Sequence, residues 1–155
     1  MRLLIVCTGN TCRSPLAEGL ARRLAAERGM EVTVSSAGTS AWDGAPASDG
    51  SLLVALEHDL DLSAHRTRQL TRELVADAEL ILTMGPHHLE RVEALGGSGK
   101  SHLLLAYASN GADLSAVSDP FGGDLDVYRA TYQELDRALR RVLDRLTADR
   151  QKTDA

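Results

Sequence analysis

A chain of 155 residues with a formal net charge of −5 lacks the basic face that a nucleic-acid or anionic-membrane binder needs. Its 43% hydrophobic and 25% charged residues are ordinary for a globular protein, and a chain this long buries about 70% of its unfolded surface in one domain. No apolar run approaches the roughly 20 residues of a membrane span, no signal-peptide pattern opens the chain, and two cysteines make no disulfide framework. A cytoplasmic monomer is expected.

Leu3 to Val6 form the first apolar run and read as a strand. Cys-Thr-Gly-Asn-Thr-Cys-Arg-Ser follows directly from Cys7 to Ser14, and Ser14-Pro15 open a helical pattern with Leu16, Leu20 and Leu24 every fourth residue. Gly29 can close that helix. Val32 to Ser35 read as a second strand, and Leu52, Leu53 and Leu56 mark a helix. A short helix from about Thr71 to Ala76 precedes a third strand, Leu80 to Thr83. A helix from about His87 to Leu95 leads to a fourth strand, His102 to Leu105. Ala106 to Gly123 form a long connection of the kind that often serves as a functional lid. The last helix carries a stripe of Leu135, Leu139, Val142 and Leu146. The domain is taken as 1–148, with 149–155 a polar, frayed tail.

Strands alternating with helices imply an α/β domain: a four-stranded parallel sheet, helices on both faces, and right-handed crossovers. Ligands of such sheets bind beyond the carboxyl ends of the strands, where the loop after the first strand lies. Five residues between Cys7 and Arg13 suffice to wrap one phosphate-sized anion, with inward N–H groups, a turn at Gly9 and the positive end of the next helix. The same surroundings favour a thiolate at Cys7.

Phosphoryl transfer through a cysteine needs a thiolate, a cation for the equatorial oxygens, donors that hold the phosphate in line, and an acid for the leaving group. Cys7 fits the first role, and the planar fork of Arg13 the second. The amides of Thr8, Gly9, Asn10, Thr11, Cys12 and Arg13 fit the third. Ser14 is placed to donate its hydroxyl to the Cys7 sulfur. Asp119, in the long loop and stiffened by Pro120, is the candidate acid, and later the base that activates water. This chemistry needs no metal or other cofactor.

The full chain resembles the low-molecular-weight protein-tyrosine phosphatases through CTGNTCRSP at residues 7–15, SAGT at Ser36 to Thr39, HRTR at His65 to Arg68 and DPF at Asp119 to Phe121. The resemblance implies a phosphorylated protein as substrate, bound phosphate ion, Cys7 as nucleophile, Arg13 as phosphate ligand and Asp119 as general acid. It also implies that Asn10, Ser14 and His65 brace the loop. Thr11, together with Asp119-Pro120-Phe121-Gly122-Gly123, resembles the bacterial protein-arginine phosphatases of the same family; many tyrosine-specific members carry isoleucine at the first position and two tyrosines after Asp-Pro. Threonine leaves room for a phosphoguanidinium, and a missing second tyrosine removes aromatic wall. Trp42, in the loop after SAGT, and Phe121 offer aromatic surface that suits phosphotyrosine instead. Phosphoarginine is the favoured reading and phosphotyrosine the alternative.

Cys12 is either a packing residue or a partner for a reversible disulfide with Cys7. Trp42 is a substrate wall or a loop anchor. His87 and His88 diverge as helix neighbours and read as solvated surface, not a metal pair. Tyr128 and Tyr132 read as packing residues, and Arg137, Arg140, Arg141 and Arg145 as a solvated face. An arsenate reductase on the same fold would need cysteines after Cys12, and the chain has none. A phosphocarrier would be harmed by an acid that speeds hydrolysis, and a non-catalytic phosphoprotein binder would have no need of both Cys7 and Asp119.

Overall fold

Leu3, Leu4, Ile5 and Val6 are all buried, and their side chains alternate between two separate cores. Leu3 and Ile5 join Leu16, Leu20 and Leu24 on one face, while Leu4 and Val6 join Val75, Ile81 and Val92 on the other. A strand covered on both faces loses the polar alternation of a half-exposed one and reads as a continuous apolar run.

In the computed structural model, which describes residues 1–154, the chain runs β1 (Arg2–Cys7), α1 (Arg13–Glu27), β2 (Thr33–Gly38), α2 (Asp49–Glu57), α3 (Arg72–Asp77), β3 (Leu80–Thr83), α4 (Pro86–Val92) with a π-helical turn at Glu93–Gly97, β4 (Ser101–Leu103), α5 (Leu104–Ala108) and α6 (Leu125–Asp154). All strand pairs are parallel, in the order β2-β1-β3-β4. The strand order reverses beside β1, so the topological switch point falls at its carboxyl end, at Cys7.

The four expected strands are present, β3 with the expected ends and the other three with shifted ones. β2 runs on through Ser36, Ala37 and Gly38 because it pairs with β1 along its whole length, from Arg2↔Thr33 to Cys7↔Gly38. Those small residues carry no strand signal of their own; pairing extends the strand. At β4 the difference is in the other direction. Leu104 begins α5 instead of continuing the strand, so the long connection starts with a short helix and is irregular only from Ser109 to Asp124. Arg145 fixes α5 from outside: its guanidinium lies 3.9 Å from the Tyr107 ring centre, and Nη1 donates to the Tyr107 carbonyl at 3.0 Å. Arg145 is therefore no part of a purely solvated face.

α1 closes as expected at Gly29, whose φ of +66° is followed by the Met30 N–H bonding back to the Ala25 carbonyl at 2.9 Å. In α2 the buried face is Ser51, Val54 and Ala55, while Leu53 and Leu56 are exposed. Ser48 caps this helix and the Ser51 hydroxyl donates to the Cys12 carbonyl at 3.2 Å. These polar anchors set its rotation against the leucine pattern. In α6 the stripe of Leu135, Leu139, Val142 and Leu146 is buried, as are Tyr128 and Tyr132. The polar segment after Asp149 continues α6 as helix to Asp154; Ala155, the last residue of the expected tail, lies outside the described residues. Among the described residues no helix is long and apolar enough to cross a membrane.

Candidate active site

The loop between β1 and α1 makes its turn at Asn10, which takes a left-handed φ of +59°. This corrects the expectation for Gly9. Its φ is not positive, and a Cβ there would meet only Thr11 Oγ1 at 3.5 Å. Asparagine tolerates the left-handed region when its side chain is held locally, and here four bonds hold it. Asn10 Nδ2 donates to Ser14 Oγ at 2.8 Å and Ser36 Oγ at 2.9 Å. Its Oδ1 accepts from the Arg68 N–H at 3.0 Å, and its carbonyl accepts from His65 Nε2 at 2.8 Å. His65 Nδ1 in turn faces Glu18 Oε2 at 3.7 Å. Three of the motifs that are far apart in sequence thus meet on one buried residue.

Cys7 Sγ lies 2.9 Å from Ser14 Oγ. Burial pushes the Cys7 thiol above its ordinary value, opposed by the Ser14 hydroxyl and N–H, the Arg13 charge and the Asn10 N–H. The stabilising contacts expected for a thiolate are in place, but burial outweighs them. Arg13, itself buried, donates from Nη1 to the Val117 carbonyl at 3.0 Å and turns Nη2 toward Asp119 Oδ2 at 3.6 Å. Val117 is pinned in turn by its N–H bond to the Met84 carbonyl at 2.8 Å, so the long loop is tied to the end of β3. Asp119 is half exposed, and its Oδ1 accepts the Phe121 N–H at 3.0 Å. That bond fixes the carboxylate over the loop.

Cys7, Thr8, Gly9, Thr11, Cys12, Arg13, Asp119 and Phe121 line a cavity of 220 Å³. Thr11 and Phe121 stand in its wall, and the Phe121 ring is largely exposed at the rim. Trp42 is outside this lining and 87% exposed, its carbonyl bonded by the Thr67 hydroxyl. Cys12 is a buried residue of the loop, with Sγ 3.3 Å from Ser48 Oγ and 3.4 Å from Tyr128 Oη. Both cysteines are free thiols. A larger, open groove of 760 Å³ touches Glu18 and His65 but neither Cys7 nor Arg13.

Two further residues belong to this site, one with no sequence signal of its own and one against its reading as solvated surface. Gly38, inside the SAGT motif, packs so tightly on the loop that a Cβ would lie 2.4 Å from the Thr8 carbonyl and 2.9 Å from the Asn10 nitrogen. His88 is the second. His87 is solvated as expected, but His88 is completely buried, and its Nε2 lies 2.8 Å from Thr8 Oγ1. Its place after Gly85-Pro86 carries no sequence signal, because the contact is made across the switch point between β1 and β3.

A thiol at the floor of an anion-sized loop, a buried guanidinium beside it and a carboxylate at the rim define a cysteine-dependent phosphatase site. Residues 2–152 match the family described as low molecular weight phosphotyrosine protein phosphatase, and the chain belongs to that family and is a protein phosphatase of it. It is 35% identical over 150 residues to the protein-arginine-phosphatase of Bacillus subtilis (strain 168), covering 97% of this chain and 99% of the relative. It is 38% identical over 136 residues to the low molecular weight protein-tyrosine-phosphatase PtpB of Staphylococcus haemolyticus (strain JCSC1435), covering 87% and 92%. Among solved structures, the YwlE arginine phosphatase C7S mutant with phosphorylated active site serine superposes with a TM-score of 0.92 at 35% identity, covering 97% of this chain and 99% of that one.

Proposed function

We propose that the protein hydrolyses phosphoarginine in proteins through a phosphocysteine intermediate, with Cys7 as nucleophile, Arg13 as phosphate ligand and Asp119 as general acid. In the first step the Cys7 thiolate attacks phosphorus in line. The S–P bond forms, the P–N bond to the guanidinium breaks, and the leaving nitrogen takes the proton of Asp119. In the second step water attacks the phosphocysteine and gives its proton to the Asp119 carboxylate. The S–P bond breaks, and the thiolate departs toward the Ser14 hydroxyl. Loop amides and the Arg13 fork carry the equatorial oxygens in both steps. The chain's own groups supply every role, so no metal or cofactor is invoked, and both thiols stay free in a reducing cytoplasm.

The observation that carries this reading is the Arg13–Asp119 pair at 3.6 Å over the Cys7 loop, since it joins phosphate ligand and acid at one mouth. Phosphoarginine is favoured because Thr11 lines the cavity where a larger branched side chain would crowd a phosphoguanidinium, and because Asp119 lines the same cavity, within reach of the guanidinium nitrogen that it protonates. The similarity to protein-arginine-phosphatases supports it. Phosphotyrosine is the second reading, favoured by the Phe121 ring at the cavity rim and by the similarity to PtpB.

The test is kcat/KM for matched phosphoarginine and phosphotyrosine peptides in chelator, with Cys7→Ser and Asp119→Asn alongside. A phosphoarginine preference is expected, abolished in Cys7→Ser and reduced about 10²- to 10⁴-fold in Asp119→Asn. A phosphotyrosine preference overturns the substrate assignment, and absence of metal-free turnover overturns the mechanism.

A further inference from the structure

Among the described residues, His88 is the one fully buried imidazole that the chemistry above leaves unused. It is fully buried at the start of α4, makes its hydrogen bond to Thr8 Oγ1 at 2.8 Å, and leaves Nδ1 buried without a partner among the described residues. Thr8 is half buried and lines the Cys7 cavity. Among the described residues, the Thr8 hydroxyl makes no other hydrogen bond.

The two neutral tautomers differ in what they do to that hydroxyl. With the proton on Nδ1, the ring would strand a buried N–H, and Nε2 would draw the Thr8 hydrogen away from the cavity. With the proton on Nε2, the ring strands only a lone pair, which is the more tolerated defect. Nε2–H then donates to Thr8 Oγ1, and the hydroxyl hydrogen is free to face the cavity. Resting on the phosphatase reading, we propose that His88 is a positioning residue, whose Nε2–H aims the Thr8 hydroxyl at an oxygen of the bound tetrahedral oxyanion.

Electrostatics keep the ring in the required neutral state. Burial first, then the charges of His87 and Arg13, push His88 down to about 4, against the opposing pull of Asp119. A second cation beside Arg13 is thereby avoided at neutral pH, while the donor toward Thr8 is kept.

The test uses orthovanadate and inorganic phosphate as probes, titrated calorimetrically into the wild-type protein and the His88→Leu, Thr8→Val, double and His88→Gln variants. Each single loss is expected to weaken orthovanadate binding about tenfold, by the worth of one hydrogen bond to a charged group. The double variant is expected to be no weaker than either single, because the two side chains act in series. Gln offers a donor in the place of Nε2 and is expected to recover affinity to within about twofold. Nitrogen NMR of the wild-type imidazole is expected to show the Nε2–H tautomer, a readout that stands even where His88→Leu fails to fold.

An Nδ1–H tautomer, wild-type affinity in Thr8→Val, or losses that multiply in the double variant would each overturn the inference alone. A wild-type protein that binds neither probe would overturn the phosphatase reading with it.

Discussion

Ser14 Oγ accepts a hydrogen bond from Asn10 Nδ2 at 2.8 Å and stands 2.9 Å from Cys7 Sγ. Because Asn10 can only donate through that nitrogen, the Ser14 hydroxyl hydrogen is left to point at sulfur. The Asn10 side chain, held in its left-handed turn, thus sets the direction of the Ser14 hydrogen bond to Cys7, while its backbone N–H acts on the same sulfur.

Ser14→Ala removes the largest influence that opposes burial at Cys7. The thiol is expected to move further up, so the inflection in the pH dependence of Cys7 alkylation shifts to higher pH. Departure of the thiolate from phosphocysteine is expected to slow about tenfold, read by single-turnover kinetics. An unmoved alkylation profile would count against the assigned hydrogen-bond direction.

Gly38→Ala puts a methyl against atoms that cannot swing away, since its nearest neighbours are the Thr8 carbonyl, the Ala41 Cβ and the Asn10 nitrogen. Overpacking of this kind is expected to cost about 1–3 kcal/mol and to distort the loop. Thermal melting and phosphate affinity should fall together. Retention of both would show that β2 and the loop can part without loss.

Thr11→Ile enlarges and dries the cavity wall. The ratio of phosphotyrosine to phosphoarginine kcat/KM is expected to rise by about tenfold, the scale set by small changes in a pocket's apolar volume. Equal effects on both substrates would remove Thr11 from the specificity argument.

The buried imidazole makes stability depend on pH. Unfolded, His88 takes up a proton near the ordinary value of 6.5; folded, it refuses one until about 4. The stabilisation is therefore fully present above 6.5 and is lost as pH falls toward 4, by up to on the order of 3 kcal/mol. Denaturant unfolding across that window should show the loss, and His88→Gln should flatten the slope. An identical slope in the variant would assign the acid sensitivity to other groups.

The sequence by itself was enough for the sheet, the placing of the Cys7 loop and the pairing of Cys7 with Arg13, because those depend on local signals: an apolar run, a fixed loop spacing and helix periodicity. Even the residues that brace the loop were legible as motifs, and Asn10, Ser14 and His65 do meet there. Tertiary structure decided what no local pattern records. The turn sits at Asn10 and not Gly9, since bonds to Ser14 and Ser36 and from His65 and Arg68 hold it left-handed. α2 turns Leu53 and Leu56 outward because Ser48 and Ser51 anchor the opposite face. His88 is core and not surface because parallel pairing of β1 with β3 carries α4 against the loop. Each of these contacts joins residues distant in the chain, and a side chain's polarity says only that it needs a partner; the packing of the sheet determines which one it finds.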